Sequence, residues 1–190
     1  RPLRLREVRP RWYAVDGTPT DCAWLGIHHV LRDRRPRILV SGINHGPNMG
    51  EDVYYSGTVA AALEGVLQGV PAIAASLATR QPTDFAGPAA SVGHLLRQVL
   101  ERGVPPRMLL NVNFPHRPAA EIQGVQLTRL GTRVYHDTLV KKVDPRGKDY
   151  YWIGGEDPLW EPEPGTDFHA VHHGMVSVTP MRLDRTDGDA

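Results

Sequence analysis

An open, mostly parallel α/β sheet flanked by helices is the fold class this chain predicts, and three features predict it. Apolar runs without polar alternation, at Ile38–Leu39–Val40, in V-P-A-I-A-A-S-L (70–77) and in R-M-L-L-N-V-N-F (107–114), read as strands covered on both faces. Helical patterns separate these runs, so each strand–helix–strand unit is a right-handed parallel crossover. A glycine- and asparagine-rich loop joins the first run to its helix, which is where open α/β sheets bind ligands.

Taken in order, residues 1–10 are basic and proline-punctuated and specify little. Trp12, Ala14 and Val15 mark a short strand. Thr18, Pro19 and Asp21 have the spacing of a helix start, with a cap, a proline at the first helical position and an acid three residues after the cap. That helix is expected to run to about Leu31, with Cys22, Leu25 and His29 on one face. After the strand at 38–40, Gly42, Gly46 and Gly50 allow positive φ and close approach to a ligand. Ser56 caps the next helix, whose apolar face is Val59, Leu63, Val66 and Leu67, and Gly69 stops it. A further helix is expected from Phe85 to Arg102, with Val92, Leu95, Leu96, Val99 and Leu100 facing inward and Gly103, Pro105 and Pro106 ending it. V-Q-L-T-R-L (125–130) alternates like a half-exposed strand. Tyr135–Val143 and Lys148–Ile153 flank the turn D-P-R-G, which makes a long hairpin outside the main sheet. Its Tyr150, Tyr151 and Trp152 need a surface to cover, so the hairpin is expected to pack on another subunit. The acidic, proline-rich stretch 156–167 reads as a loop. A short helix at Asp167–His172, a stop at Gly174, the strand M-V-S-V-T-P and a frayed end at 184–190 complete the chain.

Composition narrows the function. The 190 residues suit one domain with an extension. A formal net charge of +1 gives no general pull toward nucleic acid or an anionic membrane. Basic residues gather in R-P-L-R-L-R and R-D-R-R-P-R, as a solvated edge or a phosphate-steering patch. One cysteine, Cys22, rules out an intrachain disulfide and fits a reducing compartment; it is read as an inert core thiol. No apolar run is long enough to span a bilayer and the start is not signal-like, so no membrane partner is expected. Walker, dinucleotide and serine-hydrolase motifs are all missing.

The site candidates cluster in residues 44–58. Asn44 offers a side-chain carbonyl either to a hard divalent ion or to a loop turn. Glu51 and Asp52 are either carboxylate ligands or first-turn helix acids. The amides and hydroxyls at Ser56, Gly57 and Thr58 either bind phosphate or only cap the helix. His169, His172 and His173 lack the partners a zinc site needs and read as surface or subunit-contact residues; His28, His29 and His94 read as helix-face residues.

S-G-I-N-H-G-P-N-M-G-E-D-V-Y-Y-S-G-T-V-A-A-A-L-E-G resembles the signature of the SurE (survival protein E) family of nucleotidases. The likeness extends in order through G-T-P-T-D-C-A-W-L-G, L-N-V-N-F-P, D-P-R-G-K-D-Y-Y-W-I-G, P-G-T-D-F-H-A-V and G-M-V-S-V-T-P. It implies a Rossmann-like core with a protruding β-hairpin used in oligomerisation. It also implies a phosphomonoesterase that is divalent-metal-dependent, through Mg²⁺ or Mn²⁺, and cleaves nucleoside 5'/3'-monophosphates to nucleoside and phosphate. Carried over, Asn44 is a metal ligand, and Asn48, Ser56, Gly57 and Thr58 line the phosphate pocket. The family's further ligands, an N-D-D-G acidic pair and a serine from a later loop, have no counterpart in these 190 residues, and the tail stops earlier than is usual. The catalytic residues are therefore unknown, and the acidic pair is expected upstream of Arg1. The implied organisation is a Rossmann-like core at 1–132, a hairpin at 133–153 and a returning segment at 154–190. A homodimer or homotetramer assembled through 133–153 is expected, in the cytoplasm, with no nucleic-acid polymer as partner. The rival expectation is a phosphate- or nucleotide-binding α/β oligomer without catalysis.

Overall fold

A computed structural model describes residues 2–81, 84–103, 105, 107–134, 138–154, 159–160, 163–184 and 186. Its centre is a five-stranded sheet built from β3 (Leu39–His45), β4 (Ala72–Ala78), β5 (Met108–Pro115), β6 (Val125–Leu127) and β11 (Val176–Arg182), in the order β3-β4-β5-β11-β6. The first three strands run parallel; β11 is antiparallel to β5 and parallel to β6. This is the mostly parallel α/β sheet that the apolar runs predict.

The period-2 geometry of β4 explains its unbroken apolar sequence. Ala72 and Ala74 point to one face, where α2 (Gly57–Leu67) lays down Val59, Ala62 and Val66. Ile73, Ala75 and Leu77 point to the other, where α3 (Ala86–Arg102) contributes Val92 and Val99. Small residues on the α2 side let the helix sit close. A Cβ on Gly65 would stand only 3.2 Å from the Leu39 Cβ, so a larger residue would push α2 off the sheet.

The predicted start of α1 (Pro19–Leu25) is present in full. The Thr18 side chain accepts from the Asp21 N–H, and the Asp21 carboxylate accepts from the Thr18 N–H at 2.7 Å. From Gly26 to Val30 the helix widens into a π-turn before closing at Leu31. The hairpin expected around D-P-R-G is present from Thr138 onward: β8 (Thr138–Val143) and β9 (Asp149–Gly154) pair antiparallel around the Asp144–Gly147 turn, in a sheet of their own. α4 (Asp167–His172) has the bounds expected of it, capped by Thr166.

Several expectations need correction. Among the described residues β3 is not covered on both faces: no described strand pairs with its second flank, and Val40 is 38% exposed. Leu67 closes α2 beyond the sheet and is exposed. Cys22 is exposed too, because α1 lies against α2 with no buried residue of its own. Of the expected α3 face, Val92 and Val99 are buried and Leu95, Leu96 and Leu100 are half-buried. The strand expected at 125–130 pairs with β11 over Val125–Leu127, and Arg129 adds a single parallel bridge to Thr166. Residues 5–15 form a hairpin, β1 (Leu5–Arg9) with β2 (Trp12–Val15), in a stretch whose first half carried no strand signal. Within the expected loop 156–167, β10 (Leu159–Trp160) pairs with β7 (Arg133–Val134). The expected start of the hairpin at Tyr135, the helix stop at Pro106, part of the acidic loop and most of the frayed end lie outside the described residues.

In the basic stretch before β3, two of the arginines are held at helix ends. Arg35 donates to the Gln68 carbonyl and Arg37 to the Leu100 carbonyl at 3.3 Å, both near helix C-termini, where positive charge meets the negative end of the dipole. These residues precede β3, at the opposite end of the strand from the loop at 44–56.

Candidate functional site

The carboxyl ends of β3 and β4 and the start of α2 enclose a cavity of about 280 Å³, lined by Asn44, His45, Gly46, Pro47, Asn48, Asp52, Tyr55, Ser56, Arg80 and Arg133. Three of the five residues singled out from the sequence, Asn44, Asn48 and Ser56, meet there. Gly57 and Thr58 open α2 beside it without lining it.

A bulge aims Asn44. Register slips between Ser41 and Asn44, so three residues of β3 span two of β4. The slip passes through Gly42, at φ 121°, where a Cβ would lie 2.3 Å from the Ala75 carbonyl oxygen, so only glycine fits. The Asn44 amide nitrogen donates to the Gly46 carbonyl at 2.9 Å, which leaves the side-chain oxygen as its acceptor for the cavity.

Asn48 is held by a buried asparagine clamp that sequence reading missed. Its backbone N–H donates to Asn113 Oδ1 at 2.9 Å. Its carbonyl accepts from Asn113 Nδ2 at 3.0 Å and from Asn111 Nδ2 at 2.8 Å. Its own Nδ2 donates to Ser76 Oγ at 2.7 Å. Asn111, Asn113 and Ser76 are fully buried. β5 thus presents two amides where a neighbouring strand would present a peptide, and the loop is docked by side chains acting as backbone. The N-x-N spacing was visible in the sequence; the partner 63 to 65 residues away was not.

Ser56 caps α2, its Oγ accepting from the Val59 N–H at 3.1 Å. The helix therefore begins at the cavity with its positive end.

Glu51 and Asp52 are first-turn acids of a helical turn, and both are bound to Arg133. They lie in a 3-10 turn, Gly50–Tyr54, and grip Arg133: Glu51 Oε2 accepts its backbone N–H at 2.8 Å and Asp52 forms an ion pair with its guanidinium. Arg133 and Arg80 are cavity residues that no motif announced; the position of Arg80, just past the end of β4, is the one signal that could have found it.

Asp167 fastens the site from behind. Its buried carboxylate accepts from Gly50 N–H, Gly131 N–H and Phe168 N–H, each at 2.9 Å. Burial pushes this carboxyl above its ordinary value of 3.8, and the backbone donors pull against that rise.

For a hard divalent ion, Asn44 offers one suitable oxygen. The single carboxylate lining the cavity, Asp52, is engaged by Arg133. Among the described residues no group of three His, Cys, Asp or Glu could hold a metal ion, the histidines of α4 included. The described residues therefore supply part of a hard-ion ligand set and do not complete one. Among the described residues no helix is long and apolar enough to cross a membrane.

Comparison with known proteins agrees with this geometry. The family model described as "Survival protein SurE" matches residues 1–137. A Myxococcus xanthus protein named "5'-nucleotidase SurE" is 55% identical over 188 residues, covering 98% of this chain and 71% of that protein. A Geobacter sulfurreducens protein of the same name is 52% identical over 187 residues, with the same coverage of each. The crystal structure of a SurE protein from Aquifex aeolicus covers 100% of this chain and 77% of its own, at 44% identity and a TM-score of 0.89. With a family match across most of its length and relatives more than half identical to it, the chain belongs to the SurE family.

Proposed function

We propose that this chain is a divalent-metal-dependent phosphomonoesterase that hydrolyses nucleoside 5'/3'-monophosphates to nucleoside and phosphate. The observation that carries this reading is the cavity where Asn44, Asn48 and Ser56 converge, in a chain 55% identical to a protein named "5'-nucleotidase SurE".

The residues have separable tasks. Asn44 would supply one oxygen to the ion. A bound Mg²⁺ or Mn²⁺ would supply polarisation of the phosphoryl oxygens and a more acidic water. Asn48, Ser56 and the first amides of α2, at Gly57 and Thr58, receive the phosphate and the charge that grows on its oxygens. Arg80 adds a cation: Arg133 is neutralised by Asp52, whereas Arg80 forms no ion pair among the described residues. The asparagine clamp holds the loop so that these groups keep their spacing.

We assign 1–132 to the core, 133–153 to an arm that assembles a homodimer or homotetramer, and 154–190 to the return segment. Exposed Leu139, Val140, Val143, Tyr150, Tyr151 and Trp152 on the arm support this. A single unpaired cysteine supports a cytoplasmic setting.

Phosphate release from nucleoside monophosphates, measured with and without a chelator, tests the function; activity indifferent to the chelator refutes it. Asn44→Ala is expected to lose most activity with its melting temperature retained. The partial ligand set favours one rival, a nucleotide-binding protein without catalysis. Tight nucleotide binding in calorimetry, with no turnover in metal-supplemented full-length protein, would establish that rival.

A further inference from the structure

We propose that the cavity between the start of α3 and the 115–122 loop receives the nucleoside part of the substrate. This rests on the phosphatase reading above and extends it from the phosphate to the group the phosphate leaves behind.

The cavity is about 390 Å³, and Leu77, Phe114, Pro115, Pro118, Gly87 and Ser91 line it. It opens at the same end of the sheet as the phosphate site, on the other side of the β4 terminus. Leu77, in its wall, is in register with His45, in the wall of the phosphate site, and the Gly46 N–H donates to the Leu77 carbonyl at 3.0 Å. His45 is the partition. Its ring meets the Phe85 ring edge-on, with centroids 5.8 Å apart, and its Nε2 bonds the Gln81 carbonyl at 2.8 Å. One layer of side chains thus divides a polar hollow from a more apolar one, whose polar lining is Asp84, Ser91, His116 and Arg117.

That division matches the division within a nucleotide. The phosphate needs amides and cations. The base needs flat apolar walls for its faces and a few polar groups for its edge. Leu77, Phe114, Pro88, Pro115 and Pro118 supply the first; Ser91, His116 and Arg117 supply the second. Open α/β sheets bind across the crest formed by the carboxyl ends of their strands, and the two hollows straddle that crest.

The test narrows the cavity from two sides. A Cβ on Gly87 would meet no atom within 4 Å, so Gly87→Leu grows into open space, in a helix where leucine is also the better former. Ala119→Leu approaches from the opposite, exposed wall. In each variant, kcat/KM for a nucleoside 5'-monophosphate, divided by that for ribose 5-phosphate, is expected to fall about tenfold, the scale on which a changed pocket discriminates. Calorimetric affinity for the free nucleoside is expected to weaken by a similar factor. A ratio and an affinity both within about twofold of wild type, in both variants, would overturn the proposal. Nucleoside binding that weakens in the variants, with no phosphate released by the wild type, would sink the hydrolase reading and leave the cavity assignment standing.

Discussion

Asn113 gives the sharpest handle on how the loop is held. Replacing it with alanine removes the acceptor of the Asn48 N–H and one of the two donors to the Asn48 carbonyl. The carbonyl keeps Asn111 at 2.8 Å, but the N–H is left in a fully buried place with nothing to bond. A stranded buried donor and the void beside it together cost about 2–4 kcal/mol. For a chain of this length that lowers the melting temperature by roughly 5–15 °C. Asn113→Asp separates the hydrogen bonds from the packing, because the shape is unchanged. One oxygen still accepts from the Asn48 N–H, but the other now faces the Asn48 carbonyl. Burial raises the introduced carboxyl above its unfolded value of about 3.9, and the protonated form donates where the amide did. A raised folded pKa gives stability that is complete below the unfolded value and is lost as pH climbs through the folded one. Asn113→Asp should therefore recover toward wild type as pH falls, while Asn113→Ala stays low throughout. Thermal denaturation from about pH 4.5 to 8 reads both. An Asn113→Ala melting temperature within about 2 °C of wild type would refute the clamp, as would an Asn113→Asp deficit that does not shrink with acid.

Asp167→Asn sets an NH₂ group against at least one of the N–H donors at Gly50, Gly131 and Phe168, at a cost of about 1–3 kcal/mol near neutral pH. Because the Asp167 carboxyl is held above 3.8, its proton stabilises the fold most below that pH, and the contribution fades as pH rises. Urea midpoints of wild type should show that acid-side slope, and those of Asp167→Asn should lack it. Arg80→Ala should raise KM for a nucleoside monophosphate several-fold and flatten its dependence on salt, with Arg80→Lys partly restoring both; an unchanged KM would take Arg80 out of the phosphate site. Removing residues 138–154 should lower the oligomeric state seen in sedimentation, and an unaltered mass would show that assembly uses another surface.

What could be read from the chain was what is decided locally. Thr18 with Asp21, the Ser56 cap, the D-P-R-G turn and the Gly69 and Gly174 stops each act over a few residues, and each is where the sequence puts it. The apolar run of β4 was legible because both its faces are covered. The exposure of Val40 was not: it follows Leu39 in an unbroken apolar run, and only the strand order among the described residues shows β3 without a partner on its second flank. The site divided along the same line. Asn44 and Ser56 stand out within one short stretch by residue type and position, and Asn48 between them was found only through the family resemblance. Asn113, Arg133 and Asp167 reach the same place from 65, 81 and 117 residues away, through contacts that leave no spacing to count.

Arg133 belongs to two places at once. Its guanidinium lies in the wall of the phosphate hollow, while its backbone forms β7, the first rung of the stem from which the β8–β9 arm projects. Glu51 and Asp52 rivet it to the turn that follows the asparagine loop. On the proposed assembly, a neighbour that grips the arm would bear on the same residue that walls the proposed phosphate hollow, so subunit contact and turnover would meet at one side chain.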